Sequence, residues 1–166
     1  MNRRRRPGPL ALAGLAVLGA CGYSVGFADH AAPGRTVAVG VVDNRSFRQR
    51  IEAPLTRSVL EQLTTHSGMR PASPATADTL LELVLADVTG RSLVGPGAGL
   101  PVREGALDFA VDIRLVDRRS AALLREARVV DRAEFRGPVG ETEASATAEA
   151  VEDLARKIVL ALEADF

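Results

Sequence analysis

Leu107, Phe109, Val111, Ile113 and Leu115 occupy every second position of one stretch, opposite Asp108, Ala110, Asp112 and Arg114. A period of two marks a strand with one face on a core and the other in water. The chain then turns at Asp117-Arg118-Arg119-Ser120, and Leu123 to Val130 returns as an antiparallel partner. Upstream, Thr36 to Val42 (TVAVGVV) is a continuous, mostly β-branched run closed by Asp43-Asn44. That run predicts a strand buried on both faces. In Asp78 to Leu85, Leu81, Leu83 and Leu85 alternate on one side, with Leu80 and Val84 on the other. The alternation reads as a strand, although a short leucine-rich run also suits a helix.

Two stretches follow a helical period instead. Leu55, Val59 and Leu63 recur four residues apart, Leu60 broadens the stripe, and Pro54 sits where a first helical turn tolerates a missing N–H. Gly68 supplies a stop. Near the carboxy terminus Ala148, Val151, Leu154, Ala155, Ile158 and Leu162 share one helical face, while Glu149, Glu152, Asp153, Arg156 and Lys157 point away. Met69 to Ala77 is a proline-bearing linker, and Gly137 to Gly140 breaks the chain again. Gly90 to Gly105 holds five glycines and two prolines, the composition of a long loop or a loosely ordered hairpin tip. The order is β-α-β-β-β-α. Its first strand-helix-strand unit predicts two parallel strands with a right-handed crossover. The fold class expected is α+β, a four-stranded mixed sheet with two helices packed on one face.

The amino terminus follows different rules. Arg3 to Arg6 precede the uncharged apolar run Leu10 to Ala20. At about 1.5 Å per residue this run is too short for a hydrocarbon core of roughly 30 Å. A basic start and a short apolar run form a secretory signal peptide, here residues 1–20. Leu18-Gly19-Ala20-Cys21 resembles a bacterial lipobox, which makes Cys21 the expected acylated first residue of the mature chain. The alternative for a lone cysteine is a buried structural thiol. Gly22 rather than aspartate follows, which favours the outer membrane over the inner. Residues 21–35, rich in glycine, alanine and proline, read as a tether. Residues 36–166 then form a single domain.

Composition narrows the chemistry. One cysteine closes no internal disulfide, and two histidines beside it make a zinc site of the usual ligand types improbable. Without the four leader arginines, 17 basic residues stand against 21 acidic ones, which is not the electrostatic footprint of a nucleic-acid binder. His30 and His66 lack a nearby nucleophile. Gly95-Pro96-Gly97-Ala98-Gly99 lacks the lysine of a phosphate loop. Asp108 and Asp112 stand about 13 Å apart along a strand, beyond the spacing of paired glycosidic carboxylates. No catalytic residue, metal ligand or cofactor site is assigned, and the protein is expected not to be an enzyme. Arginine is the suggestive residue type, because guanidinium groups suit phosphate and carboxylate. Arg91, Arg103, Arg114, Arg118 and Arg119 fall in or beside the loop and turn of the strand region. The alternative for them is an ordinary solvated surface.

With these segments placed, the chain resembles the lipopolysaccharide-assembly lipoprotein family, LptE. The likeness runs through Cys21-Gly22-Tyr23 with Gly26-Phe27, and Thr36-Val37-Ala38-Val39 followed by Asp43-Asn44-Arg45-Ser46. It continues through Leu55-Thr56, Ala77-Asp78-Thr79-Leu80-Leu81 and Leu115-Val116-Asp117-Arg118. The chain departs from the family at Gly40, where proline is frequent, and at Ser120 or Ala121, where glycine is. The resemblance implies an outer-membrane lipoprotein that assists folding of, and plugs, an LptD-type β-barrel, and that contacts lipopolysaccharide. The five arginines are then candidate contacts to lipopolysaccharide or to the barrel. A regulatory lipoprotein that activates a periplasmic cell-wall synthase is the alternative.

Overall fold

The computed structural model describes residues 35–93 and 104–163. Its elements are β1 (Thr36–Val39), β2 (Asp43–Asn44), α1 (Glu52–His66), β3 (Arg70–Pro71), β4 (Thr79–Ser92), β5 (Glu104–Asp117), β6 (Leu123–Arg136) and α2 (Glu143–Glu163). A single 3-10 turn over Gly137–Val139 joins β6 to α2. The class is α+β with a mixed sheet and two helices, but the sheet has six strands where four were expected. Both extra strands, β2 and β3, are two residues long. Strand order is β3-β1-β4-β5-β6, with β2 also paired to β4. β1 runs parallel to β3 and β4, and β4, β5 and β6 form an antiparallel meander.

The expected parallel pair around α1 is present, since Val37, Ala38 and Val39 face Thr79, Leu80 and Leu81. Val37 and Ala38 are both fully buried, as a strand covered on two faces requires. The run nevertheless ends early, and Val41 is 93% exposed. Gly40 is the break. Its N–H donates to the Leu81 carbonyl at 2.8 Å, a bond that proline at this position could not make.

β5 behaves as its alternation demands. Leu107, Phe109, Val111, Ile113 and Leu115 are buried in one core with Leu81, Leu83 and Leu85 of β4. β4 continues past Leu85 through a bulge at Ala86, which shifts the register so that Val88 returns to the core side. The glycine-rich Gly90–Gly105 segment therefore begins and ends in strand, with Gly90 opposite Leu107 and Ser92 opposite Gly105. β6 extends to Arg136, six residues beyond the expected end.

Both helices cover the same face. Leu55, Val59 and Leu63 of α1 meet Val151, Leu154, Ala155, Ile158 and Leu162 of α2 in the core. Ala148 is exposed, contrary to the expected stripe; Ala146 and Ala150 take the buried positions. α1 ends at His66 with Ser67 in an extended conformation, so Gly68 is not the left-handed stop that its position suggested. At the start of α2, Thr142 and Ser145 cap each other reciprocally through backbone N–H and hydroxyl at 2.9 and 3.1 Å.

Candidate functional site

The sheet face away from the helices is open, and its charges are arranged in rows. Arg114 lies between Glu82 at 3.4 Å and Glu126 at 3.7 Å, its directly opposite partners on β4 and β6. Asp112 faces Arg128 at 3.5 Å. Asp108 takes Arg132 at 2.6 Å from one side and Arg91 at 3.0 Å from the other. Opposite charges directly across an antiparallel ladder attract by a few tenths of a kcal/mol to about 1 each, which fixes register at little net gain. The hydrogen bond from Arg132, helped by Arg91, holds the Asp108 carboxyl below its ordinary value of 3.8. An open groove of about 520 Å³ runs along this face between Val41, Val84, Asp112 and Arg114.

This arrangement separates the candidate arginines. Arg91 and Arg114 both lie on the open face, but Arg114 is held by two carboxylates and Arg91 shares Asp108 with Arg132, so an incoming phosphate has to compete with those partners. Arg118 and Arg119 sit on the β5–β6 turn at the end where β1 begins. Arg118 donates to the Ala77 carbonyl at 3.2 Å. The Arg119 side chain enters no ion pair among the described residues, and its backbone N–H donates to Asp117. Around this end Asp78 accepts from the Thr36 N–H and hydroxyl at 3.0 and 2.7 Å. Asp117 accepts from Ser120 N–H and hydroxyl at 2.9 Å. Those hydrogen bonds, more than the neighbouring arginines, hold both carboxyls below 3.8. Arg103 and Cys21 lie outside the described residues.

A second region was not singled out by pattern. In the segment from Asp43 to Ile51, between β1 and α1, Asn44 acts as a hub. Its side-chain amide donates to the Arg48 carbonyl at 2.7 Å and to Glu52 at 2.6 Å. Its oxygen accepts from the Ser46 N–H and hydroxyl at 2.9 and 2.7 Å. The amide donation keeps the Glu52 carboxyl below its ordinary 4.5. Arg48 reaches Glu143 at the start of α2, 2.7 Å away, and passes over Gly90, where a Cβ would stand 3.0 Å from its guanidinium. Arg50 has φ of 71°, a left-handed conformation uncommon outside glycine and asparagine. The product is a braced loop with Phe47 at its tip, 103% exposed. The sequence signal was Asn44-Arg45-Ser46, since asparagine readily binds the backbone two residues on.

Among the described residues no group of three or more His, Cys, Asp or Glu side chains is placed to hold a metal ion. No described helix is long and apolar enough to cross a membrane. The arrangement offers contact surfaces: a charge-ruled sheet face, a turn whose Arg119 guanidinium has no ion-pair partner among the described residues, and an exposed aromatic on a hydrogen-bonded loop.

Comparison with known proteins agrees with this reading of the fold. The family model LptE, lipopolysaccharide-assembly, matches residues 34–162. The chain belongs to the LptE family. A hypothetical protein from Chlamydia trachomatis superposes with a TM-score of 0.58 at 12% identity, covering 78% of this chain and 96% of that one. PelC from Paraburkholderia phytofirmans, a dodecamer, gives 0.55 at 18% identity, with 81% and 91% covered. A minor lipoprotein from Acinetobacter baumannii gives 0.52 at 14% identity, with 78% and 92% covered. These three show a shared fold. No curated protein matches.

Proposed function

We propose that the protein is a non-enzymatic outer-membrane lipoprotein, held by acyl chains on Cys21, that assists assembly of an LptD-type β-barrel and plugs it. In that position it supports lipopolysaccharide transport and insertion into the outer membrane. Residues 1–20 act as the leader, 21–35 as the tether and 36–166 as the plug domain. The observation that carries the reading is the LptE family match across 34–162, nearly all of that domain. Chemistry is compatible with it. A domain surfaced by paired charges stays soluble beside a membrane, and an arginine-bearing turn suits phosphorylated glycolipid.

Of the five arginines, Arg118 and Arg119 are the pair placed to meet such a glycolipid without first breaking an ion pair. Arg91, Arg103 and Arg114 remain candidate contacts to the barrel or to lipopolysaccharide. The test is purification of the acylated protein from outer membranes of its own bacterium after mild solubilisation. The expected result is stoichiometric recovery of the barrel, with loss of outer-membrane attachment in Cys21→Ser. Recovery of a cell-wall synthase instead would select the regulatory alternative. Replacing Arg118 and Arg119 together by alanine should weaken binding of purified lipopolysaccharide, read by fluorescence titration, more than Arg114→Ala does.

A further inference from the structure

We propose that Phe47 is the principal apolar contact between this protein and its β-barrel partner, a tip on a braced loop that enters an apolar recess with a carboxylate at its rim for Arg50. The inference rests on the barrel-plug reading and adds the residue and the chemistry of the contact.

Three observations converge on the loop. Phe47 is fully exposed, so its ring contributes nothing visible to the core. Soluble proteins expose many apolar atoms, but a whole aromatic side chain held clear of the surface gains only when a partner covers it. The loop beneath it is built to hold its backbone in place. Asn44 holds Ser46, Arg48 and Glu52 together, and Arg48 ties the loop to Glu143 of α2. Last, the backbone accepts a left-handed arginine at Arg50 to close the loop. Strain of this kind persists where the surrounding structure over-determines it, often at contact sites.

Rigidity decides between a protein recess and a lipid surface. A fluid bilayer accommodates an aromatic ring on a mobile loop as well as on a fixed one. A shaped pocket rewards a side chain carried on a backbone that is fixed before binding, because less entropy is lost on docking. Charge indicates the rim. Residues 45–50 read Arg-Ser-Phe-Arg-Gln-Arg; Arg45 is paired with Asp43 at 2.9 Å and Arg48 with Glu143 at 2.7 Å, which leaves Arg50 as the cation to be matched. Arg50 enters no ion pair among the described residues, and a carboxylate beside the recess would meet it. Aromatic residues and arginine are also the types enriched where interface binding energy concentrates.

The test is co-expression of the full acylated chain with the LptD-type barrel of the same bacterium, with the complex quantified after mild solubilisation. Phe47→Ser should lower recovered complex or affinity by about tenfold or more, and Phe47→Leu should retain most of it. Because Phe47 touches no core residue, the thermal midpoint of each variant should match that of the parent, which separates lost contact from lost fold. Equal recovery with Phe47→Ser would overturn the inference while leaving the barrel reading intact. Failure of the parent chain itself to recover the barrel would overturn both. In a third arm, Cys21→Ser chains are mixed with phosphatidylethanolamine–phosphatidylglycerol vesicles. Binding there that depends on Phe47, with barrel recovery unchanged, would reassign the tip to the membrane.

Discussion

The two faces of β5 differ in every physical respect except backbone. On the helix side Leu107, Val111 and Ile113 have no solvent exposure, in one core with the apolar residues of α1 and α2. On the open side Asp108, Asp112 and Arg114 are each matched across the ladder by an opposite charge. The first face holds the domain together through apolar burial, at about 25 cal/mol for each Å² removed from water. The second sets register and keeps the surface wet. It is therefore the face free to change without loss of the fold.

The sharpest way to break this contrast is Ile113→Ala. It should cost about 2–5 kcal/mol in urea unfolding, because the surrounding core cannot fully collapse into the space left. Gly105→Ala comes next, at about 1–3 kcal/mol. A Cβ there would stand 2.5 Å from the Phe135 ring, which lies across the glycine on the buried side. Phe135→Leu in the same chain should restore part of that loss, a coupling visible in a double-mutant cycle.

Acid should act on the open face and on the turn end rather than on the core. The lowered carboxyls of Asp108, Asp78 and Asp117 contribute stability that is complete above their unfolded value of 3.8 and is lost as pH falls through the lower folded values. The urea midpoint should stay level from neutral pH to about pH 5 and decline below about pH 4, with a shallower decline in Asp108→Asn. The smallest effect is Arg128→Ala. Its exposed pair with Asp112 should be worth less than about 0.5 kcal/mol in the same assay, and a larger loss would mean that this pair does more than set register.

What could be read from the sequence follows the same division. β5 was legible because its buried and wet positions alternate without exception along the apolar run. β6 was legible only to Val130, because the next core-side position is Asp131, a carboxylate nearly buried beneath Lys157 at 2.6 Å. That ion pair replaces an apolar contact and interrupts the pattern. β2 and β3 were illegible for another reason. Asp43-Asn44 and Arg70-Pro71 have poor strand propensity and extend only because β4 and β1 offer ladder partners. The bulge at Ala86 hid Val88 by changing the parity of the strand. For the candidate contacts, the β5–β6 turn was visible as a cluster of arginines. The Phe47 tip was not, since periodicity says nothing about a single apolar residue in a polar loop.

The place where the chain enters the domain sets how it bears load. Thr36 is clamped to Asp78 by both its N–H and its hydroxyl, at the start of a strand that runs parallel to its neighbours on both sides. A pull arriving through residue 35, against a grip on the far loop around Phe47, acts along β1 rather than across it. Its bonds to β3 and β4 are then sheared together instead of being unzipped one by one. The shortest major strand of the sheet thus becomes the mechanical fuse between whatever holds the amino-terminal segment and whatever holds the domain.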